Sequence, residues 1–241
     1  MNDGLVIIPT YNEIENIETI IRKVFSLNKP FDILIVDDNS PDQTAKKVNE
    51  LQEEFPMRLF LENRKKKAGL GTAYVHGFKW AIANKYDYVF EMDADFSHNP
   101  DDLEKLYEAC HVKGGDVAIG SRYLTGVNVV NWPLSRVLLS YFASVYVRFI
   151  TRMKIHDATA GFMCYRRVVL EEINLDKIKF IGYAFQIEMK YRAYVKKFRV
   201  VEVPIIFTDR AKGQSKMSSS IIKEAVFGVI SLRVQQIFNR L

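Results

Sequence analysis

The sequence predicts an open, mostly parallel α/β sheet flanked by helices, and three observations carry that expectation. Over residues 1–120 short apolar runs alternate with segments of helical periodicity. The runs are nearly continuous rather than alternating in polarity, as strands buried on both faces are. Candidate functional residues stand immediately after the runs, where open α/β sheets bind ligands beyond the carboxyl ends of their strands.

Taken in order, strands are expected at residues 5–8, 32–36, 57–61, 88–92 and 117–119, with helices at 15–27, 44–55, 71–85 and 101–113. The first helix places Ile17, Ile20, Ile21 and Val24 on one stripe. Ser40-Pro41 and Asn99-Pro100 mark helix starts. Beyond residue 120 the pattern changes. Residues 117–156 hold no Asp or Glu but carry Arg122, Arg136, Arg148, Arg152 and Lys154. Residues 133–153 read as one long helix, with Arg136, Ser140, Ser144, Arg148 and Arg152 recurring in steps of four as a polar ridge. Residues 218–241 repeat the amphipathic theme, with Ile222, Val226, Val229, Ile230 and Ile237 against Lys223, Arg233 and Arg240. No repeat, low-complexity tract or linker interrupts the chain, so one domain spans 1–241.

Composition narrows the class. The 241 residues are 48% hydrophobic and 26% charged, which excludes disordered, collagen-like and coiled-coil chains. A net charge of +5 leans towards anionic partners. Two cysteines, Cys110 and Cys164, cannot form a disulfide framework and are expected in the core. Met1–Gly4 runs directly into an apolar strand with no basic leader, and the longest uncharged apolar run, between Arg136 and Arg148, is too short to span a bilayer. A cytoplasmic protein is expected.

Three acidic motifs close strands on the same sheet edge. Pro9-Thr10-Tyr11-Asn12-Glu13 offers a ring to stack on a base and polar groups for base or ribose. Asp37-Asp38 brings two carboxylates together, which demands a compensating partner. Asp93-Ala94-Asp95 spaces two carboxylates as hard oxygen ligands for Mg²⁺ or Mn²⁺. Arg122, after the fifth strand, and the basic loop of Arg210 and Lys216 are candidates to grip phosphate. Residues 65–71, basic and glycine-rich, lack Walker spacing and read as a flexible loop before a helix. His76, His98, His111 and His156 form no ligand pattern, and no nucleic-acid recognition motif is present.

These motifs, with Gly120-Ser121-Arg122-Tyr123, Asn131-Trp132-Pro133, residues 157–162, residues 182–188 and the Asp209-Arg210…Ser215-Lys216-Met217 segment, resemble dolichol-phosphate mannose synthases over nearly the whole chain. Those are inverting family-2 glycosyltransferases of GT-A fold. The resemblance implies that Pro9, Tyr11, Glu13, Val36 and Asp38 hold the guanosine of GDP-mannose. Asp93, Ala94 and Asp95 would meet ribose, diphosphate and a Mg²⁺ or Mn²⁺ ion, with Asp95 the principal ligand; Ser97 stands near the metal where some relatives have Gln. Arg122, Arg136 and Ser140 would receive the dolichyl or polyprenyl phosphate, and Arg210 and Lys216 would close on the donor diphosphate. Residues 1–120 would form the nucleotide-sugar half and 121–241 the acceptor half, with amphipathic interface helices on a membrane surface. A peripheral position on the cytoplasmic face follows, with or without a small membrane-protein partner. Transfer from a UDP-sugar is the nearest alternative; a non-catalytic membrane-associated subunit is another.

Overall fold

The computed structural model describes residues 2–182, 184–209 and 219–238. Its first half is strand–helix alternation: β1 (Gly4–Thr10), α1 (Ile17–Phe25), β2 (Asp32–Asp37), α2 (Thr44–Glu54), β3 (Leu59–Asn63), α3 (Leu70–Ala83), β4 (Tyr88–Glu91), α4 (Asp102–His111) and β5 (Val117–Ser121). Then follow β6 (Val129–Val130), α5 (Leu134–Thr151), β7 (Met163–Arg166), α6 (Arg167–Glu172), α7 (Ala184–Val195), β8 (Val200–Pro204), β9 (Phe207–Thr208) and α8 (Ser219–Ile237). Among the described residues, seven strands make one sheet in the order β3-β2-β1-β4-β7-β5-β8, while β6 and β9 form a separate parallel pair. Among these described strands only β7 runs antiparallel, between β4 and β5.

Core lies on both faces of the sheet, as the continuous apolar runs require. Val6, Ile8, Ile33 and Ile35 pack with Ile17, Ile20 and Ile21 of α1 on one face. Leu5, Ile7, Leu34 and Val36 pack with Tyr74 and Phe78 of α3 and with α7 on the other. Each such aliphatic side chain removed from water contributes about 1.5–3 kcal/mol before entropy is charged against it. Both cysteines are buried there, as expected. The order reverses at β1, with β2 on one side and β4 on the other, so the crevice beyond β1 and β4 is the topological switch point.

Local departures have local causes. β1 runs through Pro9 to Thr10 rather than stopping at the proline. The missing N–H is tolerated because β4 pairs only as far as Ile7. β3 starts two residues late, because exposed Met57 adopts a left-handed turn (φ 60°) and Leu59 N–H bonds back to Phe55. The polar ridge of the long helix is corrected more substantially. Ser144 is buried with Val147 and Thr151, and Arg152 lies beyond the helix as its left-handed cap (φ 61°). The helix docks by small and hydroxylated residues, with the Thr151 hydroxyl bonding to Val147 O, while Leu134, Leu138, Phe142 and Phe149 face outward. Among the described residues, no helix is long and apolar enough to cross a membrane.

Candidate functional site

The loops that follow β1, β2 and β4 each contain a non-glycine residue in the left-handed region: Asn12 (φ 62°), Asn39 (φ 58°) and Phe96 (φ 59°). Asn adopts this conformation cheaply, but for an aromatic residue it is strained, of the kind the surroundings must impose. All three sit where the acidic motifs turn away from the sheet.

The Asp37-Asp38 pair finds its compensation in two different ways. Asp37, fully buried, accepts from the Thr10 hydroxyl (2.8 Å) and from the Ser40 hydroxyl and N–H (2.6 and 2.8 Å), tying the first two loops together. Asp38 accepts from Arg64 Nε at 2.5 Å, and Arg64 Nη1 reaches the Thr72 hydroxyl at 2.8 Å. Arg64 went unnoticed in the sequence. The signal was available in the sheet order: β3 neighbours β2 with Asn63 opposite Asp37, so residue 64 emerges beside Asp38. Tyr11, half-buried, carries the Lys67 ammonium 4.1 Å from its ring centroid. The Glu13 carboxylate bonds to Asn16, and its N–H donates to the Thr44 hydroxyl. Pro9 and Val36 lie opposite one another in the β1–β2 ladder.

The loop carrying Arg64 and Lys67 owes its glycines to packing. Gly69 has φ +101°, and a Cβ on Gly71 would stand 2.7 Å from Phe180 O and 2.8 Å from the Phe185 ring. Gly71 N–H instead bonds to Ile181 O at 2.9 Å. The expected flexible loop is therefore docked against the segment that precedes α7.

At the end of β4, Asp93 is half-buried, Ala94 and Asp95 are buried, and Asp95 Oδ1 accepts the Ser97 N–H at 3.0 Å. His98 is buried below them, stacked on Phe162 at 4.9 Å, and its Nδ1 accepts the Asp93 N–H. That bond leaves the ring proton on Nε2. Burial pushes His98 down to about 4, so the ring is neutral at physiological pH. Beneath the same motif Glu91 accepts from Gln186 at 2.6 Å, and Lys190 donates to Ala160 O at 2.5 Å. Burial drives Glu91 up to about 8 and Lys190 down to about 8, each towards its neutral form.

The basic side of the site joins this acidic side through aromatic rings. Thr208 N–H of β9 bonds to Ser97 O, and Phe207 meets His98 edge-on at 5.4 Å. Trp132 meets Phe207 at 5.2 Å and carries the Arg136 guanidinium 4.1 Å from its centroid, with Arg122 at 5.5 Å. Arg136 also pairs with Asp209 at 2.9 Å. Ser140 lies beside the Tyr123 hydroxyl, whose pKa burial raises. Arg122, 8% exposed, gives Nε and Nη2 to Asp157 at 2.7 and 2.6 Å. The three expected acceptor residues are thus brought together around Tyr123 and Trp132, with Arg122 already gripped by a carboxylate. Arg210 and Lys216 lie outside the described residues.

Residues 5–174 match the family described as Glycosyl transferase family 2. The chain is 49% identical to a polyprenol monophosphomannose synthase of Mycolicibacterium smegmatis over 93% of this chain and 84% of that protein. It is 43% identical to an undecaprenyl-phosphate mannosyltransferase of Micrococcus luteus, over 93% and 91% of the two chains. It is 40% identical to a dolichol-phosphate mannosyltransferase of Pyrococcus furiosus, over 91% of this chain but 60% of that one. Among solved structures, glucosyl-3-phosphoglycerate synthase of Mycobacterium tuberculosis, in complex with Mn²⁺, UDP and glucosyl-3-phosphoglycerate, has a TM-score of 0.69 at 14% identity, covering 97% and 79%. Staphylococcus aureus TarS with UDP-GlcNAc has a TM-score of 0.68 at 21% identity, covering 99% and 67%. The sheet flanked by helices is the GT-A arrangement that the motifs imply.

Proposed function

The chain belongs to glycosyl transferase family 2, and on that premise we propose that it transfers mannose from GDP-mannose to a dolichyl or polyprenyl phosphate, with inversion, giving polyprenyl phosphate β-D-mannose and GDP. The observation that carries this reading is the opposition of the Asp93/Asp95 carboxylates and the Arg122/Arg136 guanidiniums across a bridge of His98, Phe207 and Trp132. Such a site can accept a nucleotide diphosphate on its acidic side through a cation and a second anion on its basic side. Mannose and a polyprenyl phosphate are taken from the names of relatives that share most of its length, and GDP from the motif resemblance.

In this reading Tyr11 stacks on the guanine, while Pro9, Glu13, Val36 and Asp38 line the nucleoside pocket. Asp93 and Asp95 supply the hard oxygen donors that Mg²⁺ or Mn²⁺ takes, next to Ala94 and Ser97. Among the described residues no group of three or more His, Cys, Asp or Glu forms, so the protein's own donors to such an ion would be Asp93 and Asp95. Bound there, the metal would neutralise charge on the departing diphosphate. Arg122, Arg136 and Ser140 hold the lipid phosphate, and Arg210 and Lys216 cover the donor.

A phosphate monoester is already anionic at neutral pH, so the acceptor oxygen attacks the anomeric carbon without a protein base. His98 suits a supporting part, since burial depresses its basicity and its Nδ1 lone pair already accepts the Asp93 N–H. Positioning two anions for in-line displacement is what the arginines contribute. Residues 1–120 serve the donor and 121–241 the acceptor. The outward apolar faces of α5 and α8 would rest on the membrane that holds the lipid, on its cytoplasmic side, alone or beside a small membrane protein.

The test is transfer of label from GDP-mannose, UDP-glucose or UDP-GlcNAc to a short polyprenyl phosphate, with Mg²⁺, Mn²⁺ or chelator. Metal-dependent transfer from GDP-mannose alone is expected. Transfer from a UDP-sugar would keep the chemistry and overturn the donor, and no transfer from any of them would favour a non-catalytic subunit.

A further inference from the structure

Asp157 has no part in the reading above, yet it is fully buried at the edge of the acceptor cluster. Its Oδ2 accepts the Arg122 backbone N–H at 3.0 Å and Nε at 2.7 Å, and its Oδ1 accepts Nη2 at 2.6 Å. The Thr159 hydroxyl accepts from the same Nη2 at 2.9 Å. Both the backbone and the planar fork of one arginine are therefore fixed by one carboxylate. The backbone that carries this carboxylate is itself held. Glu202, on β8, accepts the Asp157 N–H (3.0 Å) and the His156 N–H (2.7 Å), and pairs with His156 Nδ1 at 2.8 Å. Glu202 stands opposite Ile119, so a sheet strand anchors the series Glu202–Asp157–Arg122.

Stability alone does not require this arrangement, because a buried ion pair is often replaceable by apolar groups at no loss. An arginine that binds an anion must otherwise give up side-chain freedom at that moment. Freezing it during folding moves that cost out of the binding step. We propose that Asp157, braced by Glu202, is a positioning residue that holds the Arg122 guanidinium ready for the acceptor phosphate. This rests on Arg122 meeting that phosphate.

The experiment compares the full chain, Asp157→Asn, Arg122→Lys and the double variant, reading KM for a short polyprenyl phosphate at saturating donor, GDP affinity by calorimetry, and the melting curve. Asp157→Asn should raise acceptor KM by roughly ten- to a hundredfold, the scale of a misplaced binding group, with GDP affinity unchanged. In the Arg122→Lys background the same substitution should add nothing, which a general structural role would not produce. Equal cost in both backgrounds, or parallel loss of GDP affinity, overturns the proposal. If Asp157→Asn fails to fold, Glu202→Gln carries the test: a smaller rise in acceptor KM alone supports it, and no rise overturns it. An unchanged KM in Arg122→Lys removes the acceptor role of Arg122 and the proposal with it. A raised KM in Arg122→Lys beside an unchanged one in Asp157→Asn removes only the positioning.

Discussion

The β1–α4 half and the α5–α8 half bury their residues in opposite senses. In the first, α1 turns Ile17, Ile20, Ile21 and Val24 inward and keeps Glu18 and Arg22 outside, with Arg22 bridging to Glu54 on the surface. In the second, α7 buries Gln186, Glu188, Lys190 and Arg192, while α5 and α8 turn Phe149 and Phe227 outward, 82% and 71% exposed. The buried charges of α7 are spoken for: Glu188 takes the N–H groups of Lys179 and Phe180 and pairs with Arg192, which also donates to Lys177 O. Single exposed apolar residues are ordinary on any protein, but a face shared by two packed helices is a patch that wants a second apolar phase. The first half buries carboxylates where its strands begin or end, as at Asp32, Asp37 and Glu91, and keeps the apolar stripe of α1 inward. The second carries charge into the middle of a buried helix and leaves apolar rings on its outer helices.

The largest test falls on the site itself. Asp95→Ala should lower transfer at least about a hundredfold, the cost of losing one key electrostatic group in an active site, while the melting temperature holds. Turnover within a few fold of wild type would remove Asp95 from the donor side. Next comes the buried charge of α7. Glu188→Ala strands Arg192 and two N–H groups, and should cost about 3–5 kcal/mol in urea unfolding. Replacing both partners by Met should cost less, since no charge is then left alone. By contrast, removing the exposed Arg22–Glu54 bridge should scarcely move the midpoint.

The outward face gives a smaller and separable effect. Phe149→Ser with Phe227→Ser should weaken co-sedimentation with anionic vesicles at least about tenfold, from the transfer energy of a phenyl side chain, and leave unfolding unchanged. Lost stability with unchanged partitioning would make that face a packing surface instead. Charge reversal at Arg148 and Arg152 should weaken the same partitioning by about 1 kcal/mol per residue. Smallest is a pH effect. Burial would raise the Asp157 carboxyl, but Arg122 beside it more than reverses this and holds it below its usual 3.8. A carboxyl depressed in the folded state lends stability above its unfolded pKa and loses it as pH falls through the folded value. Urea midpoints should therefore drop below about pH 4 more steeply in the wild type than in Asp157→Asn.

Much of the first half was legible because its signals are local. Apolar runs and helical stripes report which face meets the core, and the motifs that close the strands must emerge on one edge once the strands are parallel. β7, β8 and α7 escaped notice for the converse reason. A helix whose buried face alternates charge with aliphatic residues carries no amphipathic stripe, and the resemblance singled out residues 182–188 without explaining them. The spacing along α5 marks a polar ridge but does not say which side of the helix meets the protein, because small hydroxylated residues serve both in water and in a close helix contact.

The sequence by itself determined the α/β class, the acidic edge and the basic, acid-free stretch, since periodicity and composition survive without knowledge of what touches what. Only tertiary structure decided that Asp38 belongs to Arg64, that Asp157 holds Arg122 across 35 positions, and that Gln186 reaches Glu91 across 95. It also decided which side of α5 meets the protein. A charge states its need for a partner in one letter, but the partner's identity depends on how the sheet is ordered, and that order comes from burying all the strands at once.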